Sequence, residues 1–282
     1  MTLFKLLALT VSLLILQACS NTKPLNEEMK LYVFDCGTIT VKDISLFSPN
    51  VDVGKSKKLA NSCYLIKHPQ GNFLWDTGLN DELATMEHGL TVGEGMFTLA
   101  VKNPLVAQLK AIGLTPTDID YVALSHFHFD HTGNMNLFSN ADVLLQNDEL
   151  RAAFSDKAEE MHFDPRTYSA LDKSKFLGLT GRYDVFNDGK VILIPASGHT
   201  PGHQTLLVNL KETGAIMLSG DLYHFSKNRE HRRVPALNYD KEMTLKTMDN
   251  IEKMLKDTNA TLWIQHDLES FTRLKQSPSF YQ

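Results

Sequence analysis

Short runs of apolar residues, each bounded by polar or turn-forming residues, recur along the chain and predict buried β-strands. The predicted strands span residues 31–34, 63–66, 73–75, 121–124, 143–145, 191–194, 205–208, 215–218 and 261–264. Pro69-Gln70-Gly71-Asn72 lies between the second and third of these runs and is typical of a hairpin turn.

A helical period appears near the C-terminus, where Leu245, Met248, Ile251 and Leu255 would share one face. Asp240 precedes this segment and predicts the point where the helix begins, because aspartate is a favoured N-cap. Strands mixed with helices predict two sheets covered by helices in a single α/β domain.

Two segments do not follow this alternation. Residues 86–104 contain three glycines among apolar side chains, and residues 148–181 mix charges with methionine and aromatic residues. Apolar loops often line a pocket. Small helices that cap the core are an equally good interpretation of both segments.

Composition allows one sizeable core, since 43% of the 282 residues are hydrophobic. The formal net charge is −5, and no long basic run stands out. A nucleic-acid partner is therefore not predicted.

The N-terminus has a separate pattern, in which Lys5 precedes an apolar run over residues 6–16 that is too short for a comfortable membrane span. The following Leu16-Gln17-Ala18-Cys19 resembles the bacterial lipoprotein processing box. We therefore expect a signal peptide over residues 1–18, a lipid on Cys19 and a tether over residues 19–29. The protein would then be exported, face the periplasm and be held at the membrane by its lipid; an ordinary secretory signal is the alternative.

Two further cysteines, Cys36 and Cys63, each lie in a strand-like segment. Export permits a disulfide between them, but the sequence does not show that the two sulfurs meet. Buried free thiols are the favoured interpretation.

The candidate chemistry begins directly after the predicted strand at 121–124, with His126, His128, Asp130 and His131. Histidine nitrogens and carboxylate oxygens are good ligands for zinc and similar divalent ions. Since side chains alternate in an extended segment, His126 and His128 can share one side while Asp130 and His131 face a second position. One motif can therefore serve two metals.

More candidate ligands follow later apolar runs. His199 and His203 lie in a loop rich in glycine and proline after 191–194, Asp221 follows 215–218, and His266 follows 261–264. Several strands thus bring polar groups to corresponding ends.

These motifs resemble the metallo-β-lactamase superfamily in kind and in order. The matching segments are Asp76-Thr77-Gly78, residues 126–131, residues 198–203, Gly220-Asp221 and His266. The resemblance covers residues 30–282 and implies a four-layered αββα sandwich. It further implies the metal ligands His126, His128 and His203 for one ion, Asp130, His131 and His266 for the other, and Asp221 as a bridge. Asp76 and His199 would orient these ligands by hydrogen bonds.

Two divalent ions, with zinc expected, would create a hydroxide nucleophile from a shared water and polarise a carbonyl or phosphoryl oxygen. Asp130 is the candidate proton shuttle to the leaving group.

Within the superfamily the sequence looks most like the N-acyl-homoserine lactonase group. This resemblance implies a lactone substrate whose acyl chain lies in an apolar channel, for which the candidate lining residues are Met86, Met96, Phe97, Met135 and Phe163. Several members carry a substrate-contacting tyrosine three residues after the bridging aspartate; this chain has His224 there and Tyr223 one residue earlier. Both are candidate catalytic residues, with packing in the wall of the site as the alternative.

Two other functions stay open at this level. The same site would also suit other esters, phosphotriesters or β-lactams. A lipoprotein that only binds a ligand or metal is the third hypothesis, which the complete ligand set disfavours.

Overall fold

The computed structural model describes residues 28–282, so the predicted signal peptide, Cys19 and most of the predicted tether lie outside the described residues. The described strands are β1 (Lys30–Val41), β2 (Lys57–His68), β3 (Gly71–Trp75), β4 (Leu90–Val92), β5 (Phe97–Ala100), β6 (Tyr121–Ala123), β7 (Asp142–Gln146), β8 (Phe176–Leu179), β9 (Tyr183–Asp184), β10 (Val191–Pro195), β11 (Gln204–Leu210), β12 (Gly214–Leu218), β13 (Thr261–Trp263) and β14 (Phe280–Tyr281). Each strand predicted from an apolar run is confirmed.

These strands form two sheets. The first has the order β4-β5-β1-β2-β3-β6-β7-β8, with β14 beside β1, and the second has the order β13-β12-β11-β10-β9. β3, β6, β7 and β8 pair in parallel, as do β12 and β13, and the other pairs are antiparallel.

The α-helices of the described residues are α1 (Leu105–Ala111), α2 (Phe129–Thr132), α3 (Asn147–Ala153), α4 (Ser226–Glu230), α5 (Lys241–Thr258) and α6 (Leu268–Phe271). The predicted C-terminal helix is α5, and the Asp240 carboxylate accepts a hydrogen bond from the Met243 N–H as the predicted N-cap. No described helix is long and apolar enough to cross a membrane.

Alternate side chains of the strands build separate layers of the core. On β10, Val191 and Leu193 pack between the two sheets, whereas Ile192 and Ile194 pack against Met248 and other residues of α5. The outer face of the first sheet packs against α1 and α3 in the same way. The order helix, sheet, sheet, helix confirms the predicted αββα sandwich.

Cys36 and Cys63 form a disulfide between β1 and β2, so the prediction of free thiols was wrong. The register of the two strands shifts between Asp35 and Thr38, and Cys36 lies within this irregularity. Its Cα lies 5.8 Å from that of Cys63, a normal separation for a disulfide. The strand pairing that decides this distance is not visible in the sequence.

The two irregular segments differ from each other: residues 86–104 line the cavity but contain a strand hairpin and no helix, whereas residues 148–181 contain most of α3 and several short 3-10 helices as well as cavity-lining residues. Residues 86–104 contain the hairpin of β4 and β5, where Met96 and Phe97 line a cavity while Leu99 is buried in the core. In residues 148–181, Phe163 lines the same cavity, and Tyr168 packs in the core.

Candidate metal centre

Ligand-bearing segments begin where strands of both sheets end. β6 leads to His126 and His128, and the next helix, α2, starts at Phe129 and buries Asp130 and His131 in its first turn. In the second sheet, β10 leads to the loop with His199 and His203, β12 leads to Asp221, and β13 leads to His266. Both sheets therefore supply side chains to one edge of the sandwich.

Within residues 28–282 two groups of side chains bring potential ligand atoms within 4.8 Å of one another. The first ligand group consists of His126, His128, His199 and Asp221, and the second ligand group consists of Asp130, His131 and His266.

Asp221 faces both groups with different oxygens. Its Oδ2 lies 3.3 Å from His199 Nε2 and 3.9 Å from His126 Nε2. Its Oδ1 lies 3.3 Å from His131 Nε2 and 3.0 Å from His266 Nε2. This geometry suits a carboxylate that bridges two metals.

His203 belongs to neither group, which corrects the ligand assignment from the sequence. Its Nδ1 bonds to the Ala196 carbonyl oxygen at 3.0 Å, and its Nε2 accepts the Asp221 backbone N–H at 2.9 Å. Both ring nitrogens are therefore occupied by backbone groups. His199, expected to support the ligands, instead lies among them, with Nε2 3.1 Å from both His126 Nε2 and His128 Nδ1.

Asp76 lies behind the second ligand group, in the supporting position expected of it. Its Oδ2 is 2.9 Å from His131 Nδ1 and accepts hydrogen bonds from Ser125 Oγ and Gln265 Nε2 at 2.9 and 2.6 Å. Ser125 and Gln265 were missed by the sequence analysis, although each directly precedes a ligand, His126 or His266. Such neighbours fix ring orientation at metal sites.

Burial and nearby carboxylates divide the histidines into two electrostatic classes. Burial lowers the pKa of His128 to about 3, and it also lowers the pKa of His126 and His199 well below the ordinary value. These imidazoles are neutral at pH 7, which is the form that binds metal. Burial acts in the same direction on His131 and His266, but adjacent aspartates outweigh it and raise the pKa of both rings.

A cavity of about 890 Å³ opens over both ligand groups. Its wall contains Ile39, Leu46, Phe47, Val92 and Phe129 in addition to the predicted Met96, Phe97 and Phe163. Two predicted lining residues lie elsewhere. Met86 is 44% exposed outside the cavity, and Met135 is fully buried in the core.

His224 and Tyr223 point in different directions. His224 lines the cavity, with Nε2 3.1 Å from Asp221 Oδ2 and with a buried Nδ1 that has no hydrogen-bond partner among the described residues. Tyr223 packs behind the second sheet, and its hydroxyl donates to Glu252 at 3.1 Å. The packing interpretation therefore holds for Tyr223, because its ring is buried against α5, its hydroxyl bonds to that helix, and it does not line the cavity.

The donor set fits two divalent ions. His131 Nε2 and Asp221 Oδ1 are buried and make no hydrogen bond among the described residues, although each points into a group of potential ligands. Buried polar atoms normally have a partner, so atoms left without one indicate a missing ligand. Imidazole and carboxylate are the groups that zinc binds at catalytic sites.

A family model described as the metallo-beta-lactamase superfamily matches residues 57–266. The chain belongs to this superfamily, and it carries the dinuclear metal-binding site of a metal-dependent hydrolase. It is 30% identical over 265 residues to the N-acyl homoserine lactonase AttM of Rhizobium radiobacter, a match that covers 90% of this chain and 99% of that protein. It is 28% identical to the N-acyl homoserine lactonase AiiA of Bacillus thuringiensis, covering 89% of this chain and 98% of that protein.

Solved structures show the same relationship. A variant of B. thuringiensis AiiA with N-decanoyl-L-homoserine at its active site has a TM-score of 0.78 and 26% identity, covering 89% of this chain and 98% of that one. An N-acyl homoserine lactone hydrolase with the product N-hexanoyl-L-homoserine bound at its catalytic metal centre also has a TM-score of 0.78, with 27% identity.

Proposed function

We propose that this protein hydrolyses the lactone ring of N-acyl-homoserine lactones at a dinuclear zinc site. The observation that carries the proposal is Asp221, whose two oxygens face two separate ligand groups at the floor of an apolar cavity. His126, His128 and His199 would hold one ion, Asp130, His131 and His266 the other, and Asp221 would contact both. Such ions lower the pKa of a shared water and polarise a carbonyl oxygen.

The chain's own residues would divide the remaining tasks. Asp130 lies at the cavity surface, with Oδ2 3.5 Å from the Nε2 atoms of both His131 and His266, and it is placed to carry a proton to the leaving oxygen. His224 would donate a hydrogen bond to the substrate carbonyl. The apolar wall would receive the acyl chain, and about 890 Å³ is near the upper end of the usual range for small-molecule sites.

The test is a substrate panel measured on the purified full-length protein after its metal content is determined. The panel contains a long-chain acyl-homoserine lactone, an aryl ester, a phosphotriester and a cephalosporin. We expect about two metals per chain, preferential opening of the lactone, and loss of activity in Asp221→Ala. Turnover of another substrate alone would refute the lactone assignment and keep the hydrolase, whereas a wild-type chain that binds no metal would refute the site.

We also propose that the protein is exported and anchored at the bacterial membrane by a lipid on Cys19. The processing-box resemblance at residues 16–19 supports this location, and so does the Cys36–Cys63 disulfide, since disulfides persist mainly in oxidising compartments. After fractionation of bacterial cells, we expect the wild type in the membrane fraction and the Cys19→Ala variant in the soluble fraction. Equal membrane association of the two proteins would contradict lipid anchoring.

A further inference from the structure

Glu149 is a fully buried carboxylate at the start of α3 that the proposed chemistry does not use. Within residues 28–282 no cationic side chain forms an ion pair with it. Its carboxylate instead accepts three hydrogen bonds, from the Phe127 N–H at 2.9 Å, the Thr200 hydroxyl at 2.8 Å and the Gly202 N–H at 2.8 Å. Burying a charge is costly, so a carboxylate kept in this position calls for a function.

The three donors belong to the two segments that carry the histidines of the first ligand group. Phe127 lies between His126 and His128, and Thr200 directly follows His199. One oxygen, Oε1, holds the first segment, and the other, Oε2, holds the second. The carboxylate thus ties a loop of the first sheet to a loop of the second.

Close packing fixes the second of these loops against α3. A Cβ atom built on Gly202 would lie 2.2 Å from the Glu149 backbone nitrogen. No residue larger than glycine fits there without a shift of the backbone. The distance between Glu149 and the His199 loop is therefore set by backbone contact as well as by hydrogen bonds.

The second ligand group has different supports. Asp76 bonds to His131, and the Ala60 carbonyl oxygen lies 2.7 Å from His266 Nδ1. Ser125 joins the Asp76 network and also reaches His126 Nδ1 at 2.9 Å, so that network touches both groups. The candidate ligands in the segments that Glu149 contacts, His126, His128 and His199, all belong to the first group.

We propose that Glu149 is a positioning residue for the first metal site and not for the second. The inference rests on the proposed function, because it assumes that the two ligand groups each hold an ion. By fixing the relative position of the His126–His128 segment and the His199 loop, the carboxylate sets the spacing of three imidazoles before a metal arrives. Residues that orient metal ligands typically change affinity by about 10- to 100-fold.

The experiment is a Co²⁺ titration of the metal-free full-length protein at pH 8, followed by visible absorption. The variants are Glu149→Gln, Thr200→Val and Asp148→Asn, the last an exposed neighbour that controls for loss of one charge. His199→Ala and His266→Ala give reference spectra for chains with a damaged first or second site. We expect Glu149→Gln to bind one of the two Co²⁺ ions at least about 10-fold more weakly than the wild type does. The absorption spectrum of the ion that it still binds tightly should match the spectrum of His199→Ala, in which the first site is damaged.

Three results would overturn the proposal: unchanged affinity for both ions, equal weakening of both, or a residual spectrum that matches His266→Ala. If circular dichroism shows that Glu149→Gln is unfolded, Thr200→Val decides, because it removes one hydrogen bond and keeps the carboxylate. It should weaken the same ion by a few fold, and any other pattern contradicts the proposal. The wild type tests the proposed dinuclear site separately: if it binds fewer than two Co²⁺ ions per chain, that site is refuted whatever the variants show.

Discussion

His224 lies beside the proposed metal ligands without being one of them, and its loss should lower turnover without removing a ligand. It lines the cavity beside Asp221, and its ring packs on Phe47 with centroids 4.3 Å apart. We expect His224→Ala to lower kcat/KM for a lactone by about 100-fold, the usual effect of losing one hydrogen-bond donor to a developing oxyanion. Steady-state kinetics at matched metal content provide the measurement.

Tyr223→Phe is the matched control for this prediction. It removes only the hydroxyl that donates to Glu252, on the far side of the second sheet. Its kcat/KM should stay within about twofold of the wild type, and its stability should fall by about 1 kcal/mol. Similar kinetic losses in both variants would show that His224 acts through packing instead of through contact with substrate.

Glu149 should leave a signature in the pH dependence of stability. Burial raises its pKa from 4.5 to about 7, against the effect of its three hydrogen-bond donors; Asp148 beside it acts in the same direction as burial. Glu149 also interacts with Tyr168, whose pKa is raised mainly by burial, so that this phenol stays neutral here. Between pH 4.5 and 7 the folded chain keeps a proton that the unfolded chain releases, so this group's contribution to stability decreases as pH rises.

The measurement is urea unfolding of the metal-free protein across this pH range. Relative to Glu149→Gln, the free energy of unfolding of the wild type should fall by about 3 kcal/mol between pH 4.5 and 7.5. The slope should be roughly 1.4 kcal/mol per pH unit. Asp148→Asn should stay close to the wild type, since that side chain is exposed and its effect on Glu149 is the last of those that act on the carboxyl group. Parallel curves for wild type and Glu149→Gln would contradict the raised pKa.

Single residues also mark the limit of what the sequence predicts at this site. The residue types and their order were sufficient to find the seven candidate ligands apart from one exchange, His203 for His199. Both histidines lie in the same short loop, and only the backbone path decides which ring faces the cavity. Glu149 gave no signal, because its partners are backbone groups and a hydroxyl that meet it only in the folded chain.

At the scale of elements, the disulfide between β1 and β2 should stabilise the fold by restricting the unfolded chain. Cys36 and Cys63 are 27 residues apart, for which loop-closure entropy predicts about 2–4 kcal/mol. The double variant Cys36→Ala with Cys63→Ala should lose this amount of unfolding free energy in urea. Reductant should destabilise the wild type to the same level and leave the variant unchanged; insensitivity of the wild type would contradict the bond.

The strands differ in how well the sequence predicts them, and burial explains the difference. β3 is buried along its whole length, and its Phe73, Leu74 and Trp75 form a continuous apolar run. β4 and β9 are mostly exposed, and β9 has only two residues, so neither produces a run of apolar side chains. Such short edge strands are defined by pairing with a neighbour, and the sequence does not contain that information locally.

At the scale of the whole molecule, the proposed metal centre joins the two halves of the sandwich. His126, His128, Asp130 and His131 follow a strand of the first sheet, whereas His199, Asp221 and His266 follow strands of the second. Each ligand group contains side chains from both sheets. An ion in either position therefore resists separation of the sheets at this edge.

Metal removal should consequently destabilise the whole domain and not only the loops at the cavity. A ligand that binds only the folded state adds about 2.7 kcal/mol at a free concentration 100 times its dissociation constant. For a domain of this size that corresponds to roughly 5–10 °C in Tm per ion. Calorimetry with chelator and at two fixed zinc concentrations would measure the shift, and His266→Ala should keep only part of it. If Tm were independent of zinc while the metal was bound, the unfolded chain would bind zinc as tightly as the folded chain, and the proposed link between the two sheets would be contradicted.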